Sequence, residues 1–483
     1  MRAAVTSPSA PVAVVPEPAS ERADPVALAH SIPWAWCAVL AAIPAVLAVW
    51  QLGRAHPDEV YQFLEPAYFR VHGYGILAWE WRDGLRNWGF PLVIAGVLKI
   101  AGWLGVSDPG ACRALIELPQ WALNVWALAS VYRYAQRRLP ANGALGLTGR
   151  APALLALVLV ALIGTSFVYA GRTMGESLSA AFLLIALEAL DRNPATWRDG
   201  ALGGLALGLA VVARYGSAIF VLVALGWLLG TRRYRVFFAC AAAGLLVALG
   251  LGALDWATWG APFHSLLAYT KFNVFSTDAA RRFGEMSPRV YLLPLVEQVP
   301  LWIVPGLVLG IWRERPRVSL AGLSGVLYVT ALFFTLHKED RFLYPGMVVV
   351  AMAAAPHVAR WVWGAGRWRW VAVSVALVLS VGTYAFGPDV RGDQFHAIVK
   401  ASRDAHGLLI VNEGVWGAGG FFYVGRNIPW WTCDWPRDPA FRAAMTDARF
   451  DRAVTFDGRA LEELKAAGFH PVEQVGRETI LAR

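Results

Sequence analysis

The sequence predicts a polytopic α-helical membrane protein that ends in a small α/β domain, and three observations carry the prediction. Of its 483 residues, 57% are hydrophobic and 16% charged, with a mean hydropathy of +0.47, a balance that soluble globular domains rarely tolerate. The apolar residues fall in runs close to the roughly 20 residues that a helix needs to cross a hydrocarbon core. After residue 386 those runs give way to short apolar segments that alternate with an amphipathic stretch.

Residues 1–32, rich in Ala, Pro, Ser and Val with mixed charges, read as a disordered cytoplasmic tail. The first strongly apolar run begins near Pro33 without a clear cleavage site, so no secretory signal peptide is expected. Spans are expected near 33–53, 113–132, 151–170, 175–190, 201–213, 216–230, 236–256, 291–312, 318–336, 342–363 and 370–386, about eleven in all. The segment FPLVIAGVLKIAGWLG, residues 90–105, is apolar but short and holds Lys99. We read it as a juxtamembrane helix inside a first extracytoplasmic loop, 54–112. That reading places the loops RYAQRR, DRNPATWR, GTRRYR, WRERPR and GAGRWRW on one face, the cytoplasmic one. The net charge of +9 and pI near 9.5 then report topology, and no nucleic-acid partner is expected.

Residues 33–386 thus form a membrane domain and 387–483 a small α/β domain outside the cytoplasm, whose elements are LLIVNEG, RAVTFDGRALEELKAAGFHPVE and TILAR. Cys37 and Cys240 lie inside apolar runs as packing residues. Cys112 and Cys433 fall on the same side, and a pairing between them stays open without a spacing that supports it. No internal repeat appears.

The stretch AHPDEVYQFLEPAYFRVHGYGILAWEW, residues 55–81, crowds His56, Asp58, Glu59, Glu65 and Glu80 at the bilayer surface. Pro57 suits the first turn of a helix, where Asp58 and Glu59 meet the favourable end of its dipole, and that alone is an ordinary structural use. The i, i+4, i+7 spacing of Asp58, Gln62 and Glu65 predicts one polar face turned to a common cleft. In WEWRDGLRNW, Arg82 and Arg86 share a face beside Trp81 and Trp88; they either clamp a phosphate or pair locally with Glu80 or Asp83. The run TLHKEDRFLYP, 335–345, interrupts two apolar spans with five ionisable residues. There His337, Lys338 and Arg341 suit an anionic headgroup, oriented by Glu339 or Asp340. AYTKFNVFSTDAARRFG, 268–284, brings Lys271, Asn273, Arg281 and Arg282 to the same side, as a solvated loop or a substrate lid. In GRTMGES, Arg172 and Glu176 at i, i+4 read as a structural ion pair. Arg214, inside an apolar run, is expected either to face a cavity or partner or to mark a helix end. Nothing matches a zinc site, a P-loop or a dinucleotide fingerprint.

HPDEVYQFLEPAYFRVHGYGILAWEWRDGLRNWGFP resembles the first luminal loop of the α-mannosyltransferases that use dolichyl-phosphate mannose in GPI-anchor and asparagine-linked glycan assembly, glycosyltransferase family 22. LHKEDRFLYP is similar to the second signature of that family, AYTKFNVF to a third, and RTMGES is a weaker echo; the likeness runs in order from about residue 34 to 346. The resemblance implies the GT-C glycosyltransferase fold. It also implies transfer of a hexose, expected to be mannose, from a polyprenyl-phosphate donor to a hydroxyl of a lipid-linked or other extracytoplasmic glycan, with inversion. On the family's motifs, Asp58 is the expected base and Glu59 the adjoining acid, while His337, Lys338, Glu339 and Arg341 match the HKE-x-RF signature. His337, Lys338 and Arg341 are expected to hold the donor phosphate together with Arg82 and Arg86. His56, Glu65, Glu80, Glu339, Lys271 and Asn273 are expected in supporting or acceptor-side roles. A phosphate leaves without protonation, so one base suffices and neither metal nor other cofactor is expected.

The segment FGEMSPRVYLLPL departs from the Trp-rich form of eukaryotic members, and there is no Asn-x-Ser/Thr sequon. The richness in Ala, Gly, Val and Arg points to a bacterial inner membrane with a periplasmic active site. Three other readings stay open: a transporter or flippase for a lipid-linked sugar, for which inverted repeats are missing, a GT-C transferase of another sugar such as aminoarabinose or glucose, and a noncatalytic membrane scaffold, whose charged loops would tolerate substitution freely.

Overall fold

The computed structural model describes residues 31–52, 57–139, 150–313, 319–363, 366–385, 389, 391–411, 417–433 and 439–483, so His56 and the first 30 residues lie outside the described residues. Helices stand at each expected span. Two of them, Tyr234–Trp259 and Asp340–Trp363, are long and apolar enough to cross a bilayer, and shorter apolar helices accompany them. The first turns Phe238, Leu245, Leu246, Leu249 and Trp256 outward, as a lipid-facing helix does, whereas the second is wrapped by its neighbours.

Proline chemistry explains where the helices depart from the expected bounds. Helix α1 (Trp34–Trp50) starts where expected, but α2 (Pro109–Arg138) starts four residues before its expected span. Pro109 sits at the first helical position, and the Asp108 side chain accepts the Ala111 N–H as N-cap. The expected span 291–312 is broken: a short helix, Leu292–Gln298, stops before Pro300, and regular helix resumes at Ile303–Arg313. The expected span 151–170 is divided into Arg150–Ala161 and Gly164–Tyr169.

Between α1 and α2 the first loop forms a layer of its own. Its helix Gly89–Trp103 buries Ile94, Ala95, Leu98 and Ala101 at helical spacing and turns Leu92, Val93, Ile100 and Trp103 outward. The buried face packs on helix Glu65–His72.

After residue 391 the chain forms a five-stranded mixed sheet in the order β2-β1-β3-β5-β4, with strands β1 (Leu408–Val411), β2 (Trp430–Cys433), β3 (Arg452–Thr455), β4 (His470–Val475) and β5 (Glu478–Ala482). β1 runs parallel to β2 and β3; β5 is antiparallel to β3 and β4. Alternate residues of β1 feed two cores: Leu408 and Ile410 pack with Ala397 and Ile398 of helix Gly392–Ser402, and Leu409 and Val411 with Phe441, Met445 and Leu464 from two helices on the other face. Cys433 belongs to this second core while Cys112 packs under the first loop, and no disulfide joins them.

Candidate active site

Pro66 shapes the segment that carries the first acids. It has no N–H to donate and its ring crowds the Gln62 carbonyl, so the preceding turn widens. Residues Glu59–Leu64 wind as a π-helix, with the Glu65 N–H reaching back to the Val60 carbonyl. The indole N–H of buried Trp81 donates to the Tyr61 carbonyl at 3.0 Å. Widening the turn rotates the side chains away from the 3.6-residue period. Asp58, Tyr61 and Gln62 face a cavity of about 430 Å³, while Glu59 and Glu65 point elsewhere.

The distal run HKEDR closes the same cavity. Arg341 Nη2 lies 2.5 Å from Asp58 Oδ2, its Nε donates to Glu339 at 2.6 Å, and its Nη1 lies 3.5 Å from Glu176. These segments are more than 280 residues apart in sequence, and the contact requires them on one side of the membrane. His337 Nε2 is 2.9 Å from Glu339, its ring stacks on Phe283 at 4.6 Å, and its Nδ1 has no partner. Glu80 accepts from Arg86 at 2.6 Å, and both line the cavity. Two buried donors on the wall lack an acceptor: the Gln62 side-chain amide and the Arg86 Nε–H. Buried polar groups are rarely left so, and these suit an oxygen-rich ligand.

Several expected roles are corrected by this geometry. Glu59 is fully buried away from the cavity. Its Oε1 accepts from Arg113 Nη2 and from the Thr173 N–H, both at 2.9 Å, and Arg172 Nη1 lies 3.5 Å from Oε2. It ties the first loop to two membrane segments. Glu65 accepts the N–H groups of Ile76, Phe421 and Phe422 at 2.8 to 3.0 Å, which clamps the C-terminal domain to the first loop. Gly420, at φ +65°, is required there, because a Cβ would sit 2.6 Å from the Glu65 carboxyl. Burial raises the Glu65 carboxyl to about 7, against the three N–H groups that lower it.

Lys338 does not reach the cavity; it is buried and donates to the carbonyls of Met286, at 3.0 Å, and Thr335. Arg82 is exposed and does not share a face with Arg86, because the helix Trp79–Arg82 ends there and Gly84 turns the chain at φ +70°. Lys271 is exposed and outside the cavity lining, whereas Asn273 lines it and donates to the Tyr269 carbonyl at 3.0 Å. Arg172 does not pair with Glu176. It precedes the helix that begins at Gly175, so helical spacing does not relate the two. Glu176 instead pairs with Arg214 and Arg341. Arg214 does face the cavity, at the end of helix Trp197–Ala213.

The residues that sequence reasoning missed are Glu176 as a cavity acid, and Tyr61 and Tyr269 on its wall. An acid and a base at membrane depth, Glu176 and Arg214, were the available signal, since each needs a partner there.

Comparison with known proteins extends over most of the chain. A sequence profile of the Alg9-like mannosyltransferase family matches residues 34–401. GPI mannosyltransferase 3 of Yarrowia lipolytica is 31% identical over 338 residues, covering 68% of this chain and 63% of that protein. The Drosophila melanogaster protein of the same name is 26% identical over 68% of this chain and 56% of its own length. The matched regions thus fall short of two thirds of these relatives' length. Among solved structures, ArnT from Cupriavidus metallidurans bound to undecaprenyl phosphate superposes with a TM-score of 0.58 at 14% identity, over 93% of this chain and 98% of that one. Arabinofuranosyltransferase AftD from Mycobacteria gives 0.50 at 16% identity, over 94% of this chain and 40% of its own. At such identities the likeness is one of fold, the GT-C fold of multi-pass membrane glycosyltransferases. With the profile spanning more than three quarters of the sequence, this chain belongs to the Alg9-like mannosyltransferase family.

Proposed function

We propose that the cavity transfers a hexose, mannose, from a polyprenyl-phosphate donor to a hydroxyl of a lipid-linked or other extracytoplasmic glycan, by a single inverting displacement. The observation that carries this reading is the meeting of Asp58 and Arg341, 2.5 Å apart, on the wall of one cavity. A carboxylate and a guanidinium from distant segments are the two groups that such a transfer needs. Asp58 takes the proton of the acceptor hydroxyl as its oxygen attacks the anomeric carbon. The bond to the phosphate breaks on the opposite side, and the charge gathering on that leaving group is met by Arg341, with Arg86 and His337 on the same wall. Lys338 has no part in this step. Glu339 orients both Arg341 and His337, and Glu176 holds Arg341 against Arg214. The unpartnered amide of Gln62 supplies a donor for a sugar or phosphate oxygen.

The undecaprenyl phosphate held by ArnT, in the same fold, supports a polyprenyl carrier here. No metal or other cofactor enters the scheme. We take the site to face the periplasm, on the basic clusters of the opposite loops, and the membrane to be a bacterial inner one, on the richness in Ala, Gly, Val and Arg. Purified chain in lipid nanodiscs, given radiolabelled polyprenyl-phosphate mannose and a native glycolipid extract, is expected to produce labelled glycolipid. Label carried unchanged across a vesicle bilayer would make the chain a transporter, and transfer from another carrier-linked sugar in preference to mannose would correct the donor.

A further inference from the structure

The clamp at Glu65 creates a second cleft, outside the cavity. It has a volume of about 410 Å³ and is bordered by Ile76 of the first loop, by Phe421, and by the consecutive residues Ile428 to Thr432. Neighbouring residues of a strand point to opposite faces of a sheet, so a cleft bordered by a continuous stretch runs along the strand's edge. That edge belongs to β2, the outermost strand; among the described residues only β1 pairs with it. Its other edge therefore keeps main-chain donors and acceptors that β1 does not use. Trp431 is 46% exposed, and Trp430 meets Phe421 edge-on at 5.6 Å.

We propose that this cleft is a glycan subsite that takes a sugar of the acceptor lying away from the reacting hydroxyl. Flat aromatic faces beside a polar main-chain edge match a pyranose ring, which has an apolar C–H face and a rim of hydroxyls. A hydrocarbon chain would leave the strand edge unsatisfied. An extended peptide pairing with β2 would find four residues of strand, beginning directly after Pro429, which has no N–H.

Position makes the same argument. Ile76 borders the cleft and Ala78 and Trp79 border the cavity, so the two sites share one stretch of chain and lie within about 7 Å along it. Glu65 binds the Ile76 N–H and the Phe421 and Phe422 N–H groups with one carboxyl, which fixes the cleft relative to the cavity. A glycan anchored in the cleft lies beside the stretch Ile76 to Trp79 that also borders the cavity. The inference rests on the acceptor being a glycan, as proposed above.

The test is saturation-transfer NMR and titration of α-linked mannobiose on the full chain in nanodiscs, with Trp431→Ala, Trp431→Phe and Asp58→Asn. Wild type, Trp431→Phe and Asp58→Asn are expected to bind alike, and Trp431→Ala about tenfold more weakly, the loss typical of one aromatic contact. Steady-state transfer by Trp431→Ala should show a raised KM for the acceptor at unchanged kcat. Equal binding by wild type and Trp431→Ala, or none by either, overturns the subsite. So does weaker binding by Trp431→Ala that Trp431→Phe shares, or that accompanies loss of the folded domain in a melting scan. A chain that binds mannobiose through Trp431 but transfers no label would remove the transferase reading and keep the subsite. An active chain whose Trp431→Ala variant binds normally would do the reverse.

Discussion

Replacing Glu59 by Gln separates a structural acid from a catalytic one. The carboxylate is fully buried and bridges three partners: Arg113 and the Thr173 N–H at 2.9 Å and Arg172 at 3.5 Å. Glutamine keeps the shape and one acceptor but removes the charge. Arg113 would retain Glu117 at 2.9 Å and the Gly171 carbonyl at 3.0 Å, while Arg172 would retain only the carbonyls of Ala48, Gln51 and Val168. Breaking a buried ion pair from one side costs about 3–5 kcal/mol, and the retained acceptor puts Glu59→Gln near the lower figure. At about 1 °C per kcal/mol for a chain of 483 residues, the apparent Tm in detergent should fall by roughly 3 °C, with wild type measured at the same scan rate as the control. Turnover per folded molecule, assayed well below that transition, should stay within about threefold of wild type. A Glu59→Gln chain that melts like wild type yet has lost turnover more than a hundredfold would return Glu59 to the chemistry and refute the structural assignment.

Three further outcomes follow from the same geometry. Arg341→Ala should raise the donor KM and lower kcat/KM by at least about 10², and Arg341→Lys should not restore it, because a lysine cannot reach Asp58, Glu339 and Glu176 with one planar fork; near-normal kinetics for either would discard the leaving-group role. Gln62→Leu should weaken donor or acceptor binding without lowering the Tm, since its buried amide already lacks a protein partner, and a lower Tm at unaltered KM would show the amide to be a packing element. Glu65 sets a pH dependence: burial raises its carboxyl from 4.5 to about 7, so the folded chain holds this proton more tightly than the unfolded one. Its contribution to stability is therefore complete below about pH 4.5 and lost as pH rises through about 7, on the order of 3 kcal/mol in all, and Glu65→Gln should flatten that slope in a melting series; equal slopes would contradict it.

How much of this was legible depends on what kind of pattern each residue belonged to. Long apolar runs announced the membrane helices because a bilayer demands them, and the short apolar run LLIV, buried on both faces, marked β1. Trp430–Cys433 went unread, since four residues between turns give little period to detect. Asp58, Glu339 and Arg341 stood out because charge at membrane level needs a reason. Glu65 was placed on the wrong face because the 3.6-residue period was carried through a segment that Pro66 forces into a wider turn. The Arg172–Glu176 pairing failed in the same way, with a helical rule applied across a helix start. Lys338 was misread because one of the two carbonyls that absorb its ammonium, that of Met286, comes from a segment 52 residues away that no local spacing predicts. The links from Glu59 to Arg113 and from Glu65 to Phe421 are of this long-range kind as well.

The measurement that tests the account most directly is label transfer from radiolabelled polyprenyl-phosphate mannose by Asp58→Asn, compared with wild type at equal folded concentration. Loss of the general base is expected to lower turnover by about 10²- to 10⁴-fold, with a Tm that falls less than that of Glu59→Gln because Arg341 keeps Glu339 and Glu176. Turnover within tenfold of wild type would show that the carboxylate beside Arg341 does not take the acceptor's proton.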